Sequence, residues 1–494
     1  MKINKRNLSL FLLVAGMAGV TACSDILDTP PTTSPSESIF WQSKADFTSA
    51  LAGCYNAMQA KTLSYGMVVY DCLTDNAYGS SGSSYVYKTD LIQADNIDPS
   101  MDGFVPELYK EAYKAIATLN IFLDQLAGYD GKDMDGVRNQ YEGEALFLRS
   151  YCYYLLYLCY GEVPYVTEPL GIDTQNQPKE TLETVYQKLT ADLQTAIDKL
   201  DDKTYKEAAG HATKGAAKAL KARLLMFHAY GDNGEVARTE EMQEAYTLLD
   251  QIKGYTLAER YADNFTYDTQ EASDEIVFSI KFLAPNNYTD FDHKYGNYSP
   301  VRPVADLTNT YEDGDNRFGQ IFAFDDRYQW PGGETVALNK SDLKKAMVKW
   351  LTPLMKNGDS WEASNRSEQD FVLLRWGELL LLKAEAANEL GLPGAGDLVD
   401  LVRDRAGLTA LPDNLTQAEM REAIRHEWRV ETPFELIRYY DMKRWRILDK
   451  LNGLELDPLL AGHVTAWSKA HEYFPLPQEQ IDFSNGVLKQ NPNY

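Results

Sequence analysis

The sequence predicts a mainly α-helical protein built from tetratricopeptide-type helix pairs, with a loop-rich face and a few short strands. Three observations lead there. Apolar residues recur at the helical period in two blocks, about 45–254 and 368–450. Within them, several helix–turn–helix units of about 34 residues carry small residues where helices would touch. Between the blocks, about 255–367, the chain turns rich in Asn, Asp, Gly, Pro and Tyr, and so long a connection is usually functional or hides structure of its own.

The elements follow in order. Ala45–Ala60 reads as a first helix and Val105–Leu126 as a second, with Leu108, Ala112, Ala115 and Leu119 on one stripe. Tyr141–Tyr160 is almost continuously apolar and aromatic, which predicts a central buried helix stopped by Gly161 and Pro164. Thr181–Leu200 carries Leu182, Tyr186, Leu189, Leu193 and Ile197 at helical spacing. Ala212–Tyr230 is rich in Ala and Leu and suits close helix packing. Thr239 is placed to cap the next helix, with Glu240 and Glu241 favoured by the dipole of its first turn. Ile276–Ile280 reads as a strand. The second block is expected to begin near Asp370, with Leu379, Leu382, Ala386 and Leu390 on one stripe, and to end at Gly391 and Pro393. Ala395–Arg405 follows, and Thr416 with Glu419 forms a capping box for the helix after it.

The N-terminus carries an address. Lys2, Lys5 and Arg6 precede an apolar run from Leu8 to Val20, followed by small residues and Cys23. That order is a secretory signal peptide, and the run is shorter than the roughly 20 residues a membrane span needs. Val20-Thr21-Ala22-Cys23 resembles the lipobox of bacterial lipoproteins, which implies lipidation of Cys23. Residues 1–22 are then the signal and 23–38 a Pro-, Thr- and Ser-rich tether. Residues 39–494 form the helical domain.

The net charge is −25, and the signal holds three basic and no acidic residues, so the remainder carries −28. Such a body excludes nucleic acid as a partner, because phosphate recognition needs positive charge. The 32 Tyr and 8 Trp serve packing, ligand binding or both. Cys152 and Cys159 lie seven residues apart on one predicted helix, about 10 Å along its axis, and cannot bridge. Cys54 and Cys72 are left open to pairing. No Cys/His cluster suggests zinc, and Glu312-Asp313-Gly314-Asp315-Asn316 lacks the full spacing of a calcium loop, so it reads as a solvated turn. His426-Glu427 lacks the second His of a zinc protease. No nucleophile elbow, phosphate loop or dinucleotide fingerprint stands out, so no catalytic residue, metal or cofactor is assigned.

Several motifs resemble the SusD/RagB lipoproteins, surface partners of TonB-dependent transporters. They include Cys23-Ser24-Asp25-Ile26-Leu27-Asp28, Gly143-Glu144-Ala145-Leu146-Phe147-Leu148-Arg149, and Tyr160-Gly161-Glu162-Val163-Pro164. The C-terminal half adds Leu382-Lys383-Ala384-Glu385-Ala386, Val402-Arg403-Asp404-Arg405-Ala406-Gly407 and Tyr440-Asp441-Met442-Lys443-Arg444-Trp445. The resemblance implies a SusD-like fold at the outer surface of the outer membrane. It also implies a non-enzymatic protein that captures an oligosaccharide and delivers it to a SusC-like transporter. Some relatives bind peptides instead. A secreted glycoside hydrolase is the remaining alternative, since a catalytic carboxylate pair cannot be read from sequence. The motif residues Arg149, Lys383 and Arg405 are expected to pair with carboxylates or cap helices rather than meet a ligand.

Sugar binding needs aromatic faces against pyranose C–H groups and planar polar side chains for hydroxyls. The stretch from Tyr65 to Pro99 offers Asp75, Asn76, Tyr78, Tyr85 and Tyr87. The long insert offers Asn286, Asn287, Tyr288, Tyr295, Asn297, Tyr298, Arg302, Tyr328 and Trp330. The expected ligand contacts are Asn76, Tyr78, Tyr85, Tyr298, Tyr328 and Trp330, with Trp361 behind them.

Overall fold

The computed structural model describes residues 40–494 except 81–85, 292–293, 296–299, 325–326, 330–334, 338–344, 352–355, 358–359, 362–365 and 461. The segments expected to form the signal and tether, Cys23 included, lie outside the described residues.

The longer helices are α1 (Lys44–Ala57), α2 (Phe104–Gly128), α3 (Arg138–Tyr160), α4 (Leu182–Lys199), α5 (Lys214–Ala229) and α6 (Thr239–Asp250). After the insert come α7 (Trp376–Glu389), α8 (Ala395–Arg405), α9 (Gln417–Glu431) and α10 (Ile437–Arg444). Each helix from α1 to α7 packs on the next, and α7 also receives α8 and α9, giving a continuous array that runs across the insert. The fold is mainly α-helical, as the periodicity predicts. No helix of the described residues is long and apolar enough to cross a membrane.

Local chemistry sets these helices. The hydroxyls of Thr181 and Thr213 accept from the N–H groups of Thr184 and Ala216 at the starts of α4 and α5. Thr416 and Glu419 complete the expected capping box on α9. From Gly143 onward α3 is buried all round. A Cβ at Gly143 would fall 2.8 Å from Leu200, so glycine there lets the end of α4 approach α3. Gly161, at φ 71°, ends α3 in a conformation that side chains disfavour. Tyr70, Tyr153, Tyr157, Tyr160, Tyr230 and Tyr261 are fully buried, so much of the tyrosine content is core.

The insert is not structureless. β2 (Ile276–Ile280) pairs antiparallel with β10 (Phe371–Arg375) and encloses it. Four strands order as β6 (Thr335–Ala337), β5 (Arg327–Gln329), β4 (Phe322–Phe324) and β7 (Lys345–Met347). A short hairpin joins β8 (Lys356–Asn357) to β9 (Ser360–Trp361). β1 (Ala77–Gly79) pairs with β3 (Val301–Pro303). Trp350 anchors the insert: it is fully buried, stacks on Phe371 at 4.8 Å, and donates its indole N–H to the Phe434 carbonyl at 3.1 Å.

Four expectations need correction. Residues 371–375 are a strand, because they pair with β2, so the second helical block starts at Trp376. Thr239 is the first residue of α6 rather than its cap, a position that Arg238 takes without a side-chain bond. Tyr65–Leu73, the start of the stretch offered for sugar contacts, is a wholly buried 3₁₀ helix. The turn at 312–316 is not simply solvated: Asp315 is buried against Arg317, and Glu312 pairs with Arg403 at 2.6 Å. Cys54 and Cys72, left open to pairing, are free and buried, as are Cys152 and Cys159. Arg149 and Lys383 pair with Asp192 (2.7 Å) and Asp250 (2.6 Å), and Arg405 pairs with Glu275 and Glu431.

A buried ionic cluster locks the insert to the second helical block. Arg375, at the end of β10, meets Glu275 (2.9 Å), Glu431 (2.5 Å) and Glu435 (2.6 Å). Arg317 of the insert meets Asp315 (2.7 Å), Glu427 (2.6 Å) and Glu431 (2.8 Å). Lys349 donates to Glu435 (2.5 Å), the Tyr261 hydroxyl (2.6 Å) and the Pro433 carbonyl (2.8 Å). Burial pushes Glu431 up, but Arg405, Arg375 and Arg317 outweigh it and hold its carboxyl well below the usual range. Removing one member strands the others in a dry site, so Arg375→Ala is expected to cost about 3–5 kcal/mol in urea unfolding, the magnitude of a broken buried pair. A loss within about 0.5 kcal/mol, the range of ordinary surface substitutions, would show the cluster to be dispensable.

Candidate glycan-binding face

The β1–β3 ribbon brings the two loop-rich stretches together. Ala77 faces Pro303, Tyr78 faces Arg302 and Gly79 faces Val301. The Ser80 N–H continues the ladder by donating to the Pro300 carbonyl at 2.8 Å. Ser80 and Pro300, the described residues next to β1 and β3, therefore sit side by side. β3 in turn lies beside β7, the edge of the four-stranded sheet that carries β5. Segments more than 200 residues apart in sequence thus converge on one face.

The ribbon is held from behind by charge. Arg438 grips Asp75 with two bonds (2.8 and 2.6 Å). Arg429 donates to the Asp75 carbonyl (2.8 Å), the Asn76 side-chain oxygen (3.0 Å) and Asp306 (2.5 Å). Burial pushes Asp75 up, but Arg438 and Arg429 overcome it and bring its carboxyl down to about 2. Gln93 donates to the Thr74 (2.6 Å) and Ala77 (3.0 Å) carbonyls, and its own side-chain oxygen meets His463 Nε2 at 2.9 Å.

The expected contacts separate accordingly. Asn76 is fully buried, its amide donating to Asp71 at 2.7 Å and accepting from Arg429. It has no surface to offer, so it braces the loop and is not a ligand contact as placed. Tyr78 is 9% exposed and lies edge-on against His463, with ring centres 4.7 Å apart. It supports the face but leaves no open ring for stacking. Tyr85, Asn297, Tyr298 and Trp330 lie outside the described residues. Tyr328 falls on β5 and Trp361 on β9, with their side chains outside the description. Tyr295 is buried against Phe291 at 5.0 Å. Asn286, Asn287 and Tyr288 are exposed, but Asn287 and Tyr288 open onto a different cavity.

His463 escapes sequence reasoning, because it stands alone in an unpatterned segment and meets Tyr78 only through tertiary packing. Leu459 (58% exposed) and Val464 (65% exposed) on the same segment are the signal that marks this edge. Among the described residues, no group of His, Cys, Asp and Glu could hold a metal ion.

The fold and this face define a helical scaffold that presents a composite, loop-bearing surface. The comparisons place it more narrowly. Residues 274–494 match the SusD family, and residues 25–226 match a family described as "Starch-binding associating with outer membrane". The chain belongs to the SusD/RagB family. SusD-like protein P2 of Formosa agariphila is 25% identical over the whole of both chains. A SusD-like carbohydrate-binding protein of Bacteroides fragilis is similar at TM-score 0.74 and 19% identity, over 91% of this chain and 99% of that one. Surface glycan-binding protein A from Bacteroides thetaiotaomicron, solved with laminarihexaose, is similar at TM-score 0.73 and 20% identity, over 92% and 100%.

The Asp75 clamp has a pH signature. Its folded carboxyl sits below the unfolded value of roughly 3.9, so its stabilisation is complete above about pH 4 and is lost as pH falls toward 2. Asp75→Asn is expected to flatten the acid limb of thermal stability between pH 4 and 2. An unchanged limb would mean that the clamp does not act through charge.

Proposed function

We propose that this protein is a cell-surface lipoprotein that captures a glycan and delivers it to a SusC-like TonB-dependent transporter in the outer membrane. It is a binding protein, not an enzyme. Glycan contact falls on the face around the β1–β3 ribbon, with Tyr85, Tyr298, Tyr328 and Trp330 supplying the aromatic surfaces. The observation that carries this reading is the strand pairing Tyr78–Arg302, which joins a described strand of each aromatic-rich stretch into one ribbon. Loops on a fixed scaffold are where binding residues concentrate. Further support comes from the relatives named above, two of which are carbohydrate or glycan binders by name. Cys23 is the lipid attachment point and residues 24–38 the tether, which lets the body swing against a membrane partner.

The test is retardation in native gels that contain individual plant, host and microbial polysaccharides, run with the full chain in mild detergent. One glycan is expected to retard the protein, and Tyr328→Ala with Trp330→Ala to weaken it by roughly tenfold or more, about 1–3 kcal/mol for lost aromatic stacking. Retardation that survives both substitutions would move the site off this face. Retention of peptides with no response to any glycan would favour the peptide-binding alternative. Cys23→Ala is expected to abolish incorporation of radiolabelled palmitate, and labelling that persists would refute the anchor.

A further inference from the structure

A second cavity system lies apart from the β1–β3 face, where the C-terminal half of α1 meets residues 281–289. Two cavities of about 520 and 510 Å³ share Asn56, Gln59, Phe282 and Asn287 as a common wall. Each falls within the roughly 300–1,000 Å³ range of small-molecule sites. One half opens toward α2 past Tyr288, and the other toward Tyr55, Tyr141 and His211. We propose that this groove is a second binding site for a neutral saccharide, spanning at least two sugar rings. The proposal rests on the glycan-capture reading but involves none of the residues placed on the β1–β3 face.

The groove is built in advance. Gln59 donates to the Lys281 carbonyl at 2.6 Å, tying the end of α1 to the opposite wall and marking the line between the two halves. Leu283 and Asn287 exchange both backbone hydrogen bonds, and Thr289 and Ser367 do the same at 3.0 and 2.9 Å. The 283–289 wall is thereby fixed at both ends.

Its chemistry suits a polyhydroxylated, uncharged ligand. The side-chain amides of Asn56 and Asn287 are exposed and make no hydrogen bond to another described residue. Each offers a donor pair and an acceptor in one plane, the pattern that vicinal hydroxyls match. Tyr288 is 43% exposed and Leu283 68% exposed, giving the apolar surface a pyranose face needs. Several charges in the walls are paired. Lys281 pairs with Glu271 and Asp370, and His211 with Glu144 at 2.7 Å, while Glu111 and Lys114 both line the α2 side and the Arg366 guanidinium lies over the Tyr288 ring at 5.8 Å. The walls therefore carry charges of both signs, with no cluster of one sign to select an ionic ligand.

Two variants probe the groove by opposite means. Asn56→Ala with Tyr288→Ala removes contacts at exposed positions. Gly53→Trp fills the space, since a Cβ at Gly53 meets nothing within 4 Å. Full chain in mild detergent is titrated calorimetrically with neutral hexasaccharides of β-1,3-glucose, α-1,4-glucose and β-1,4-mannose, and with the matching disaccharides. For the sugar that binds, two disaccharides per chain are expected, and one in either groove variant. Hexasaccharide affinity should fall roughly tenfold in both, as expected for losing about two hydrogen-bonded or stacked contacts. One disaccharide per wild-type chain with no change in either groove variant overturns the proposal. If that single site is also lost in Tyr328→Ala with Trp330→Ala, the β1–β3 reading stands while this one falls. Loss of all binding in the groove variants alone upholds the groove and removes the β1–β3 site. Binding of none of these sugars at millimolar concentration overturns both.

Discussion

The pairing of Arg375 with Glu431 at the meeting point of β10 and α9 is the constraint on which the rest of the structure depends. Neither ion is exposed, and each is shared: Glu431 also receives Arg317 and Arg405, while Arg375 also holds Glu275 and Glu435. Desolvating so many charges costs more than any single pair returns, so the cluster is tenable only when every partner is present. Its members come from the start of β2, the insert, the end of β10, α8, α9 and the turn after it. Folding must bring all of these together before any of the charges is satisfied. Burial lowers Lys349 to about 8 even beside Glu435, which shows how dry the site is.

The cluster matters for binding because α9 has two working sides. Glu427 and Glu431 are four residues apart and share one side, which holds the insert. Arg429, two residues from each, faces away and holds the β1 loop through Asp75 and Asn76. One helix therefore sets the position of both chain segments that form the β1–β3 face. The groups that place these segments lie beneath them, on α9.

This division explains what could be read from the sequence and what could not. Helices α1 to α5, α8 and the α9 capping box announce themselves through local periodicity and caps, which are contained within a few residues. β2 was visible as a short β-branched and aromatic run. β10 was not, because Phe371-Val372-Leu373-Leu374 runs into the apolar stripe of α7, and only its partner β2 makes it a strand. Asn76 shows the same limit at the site. An Asn in a loop rich in Asp and Tyr reads alike whether it meets a sugar or a guanidinium 353 residues away. Tyr78 lies on the β1–β3 ribbon, but His463 takes the space an open ring would need. Aromatic content could not sort core from surface, and most of the tyrosines proved to be core.

Placement of charge carries the last step toward function. The chain is strongly acidic, yet the carboxylates deepest in the second half are committed to arginines, and Asp75 behind the β1 loop is committed in the same way. Their role is to hold backbone rather than to meet a ligand. At the groove, asparagine amides and aromatic rings stand beside side chains of both charges. Amides and rings recognise neutral hydroxylated molecules through many weak, directional contacts, each of modest worth. Under the proposed capture and delivery, weak contacts spread over two surfaces would let release proceed one surface at a time while the other keeps the ligand near.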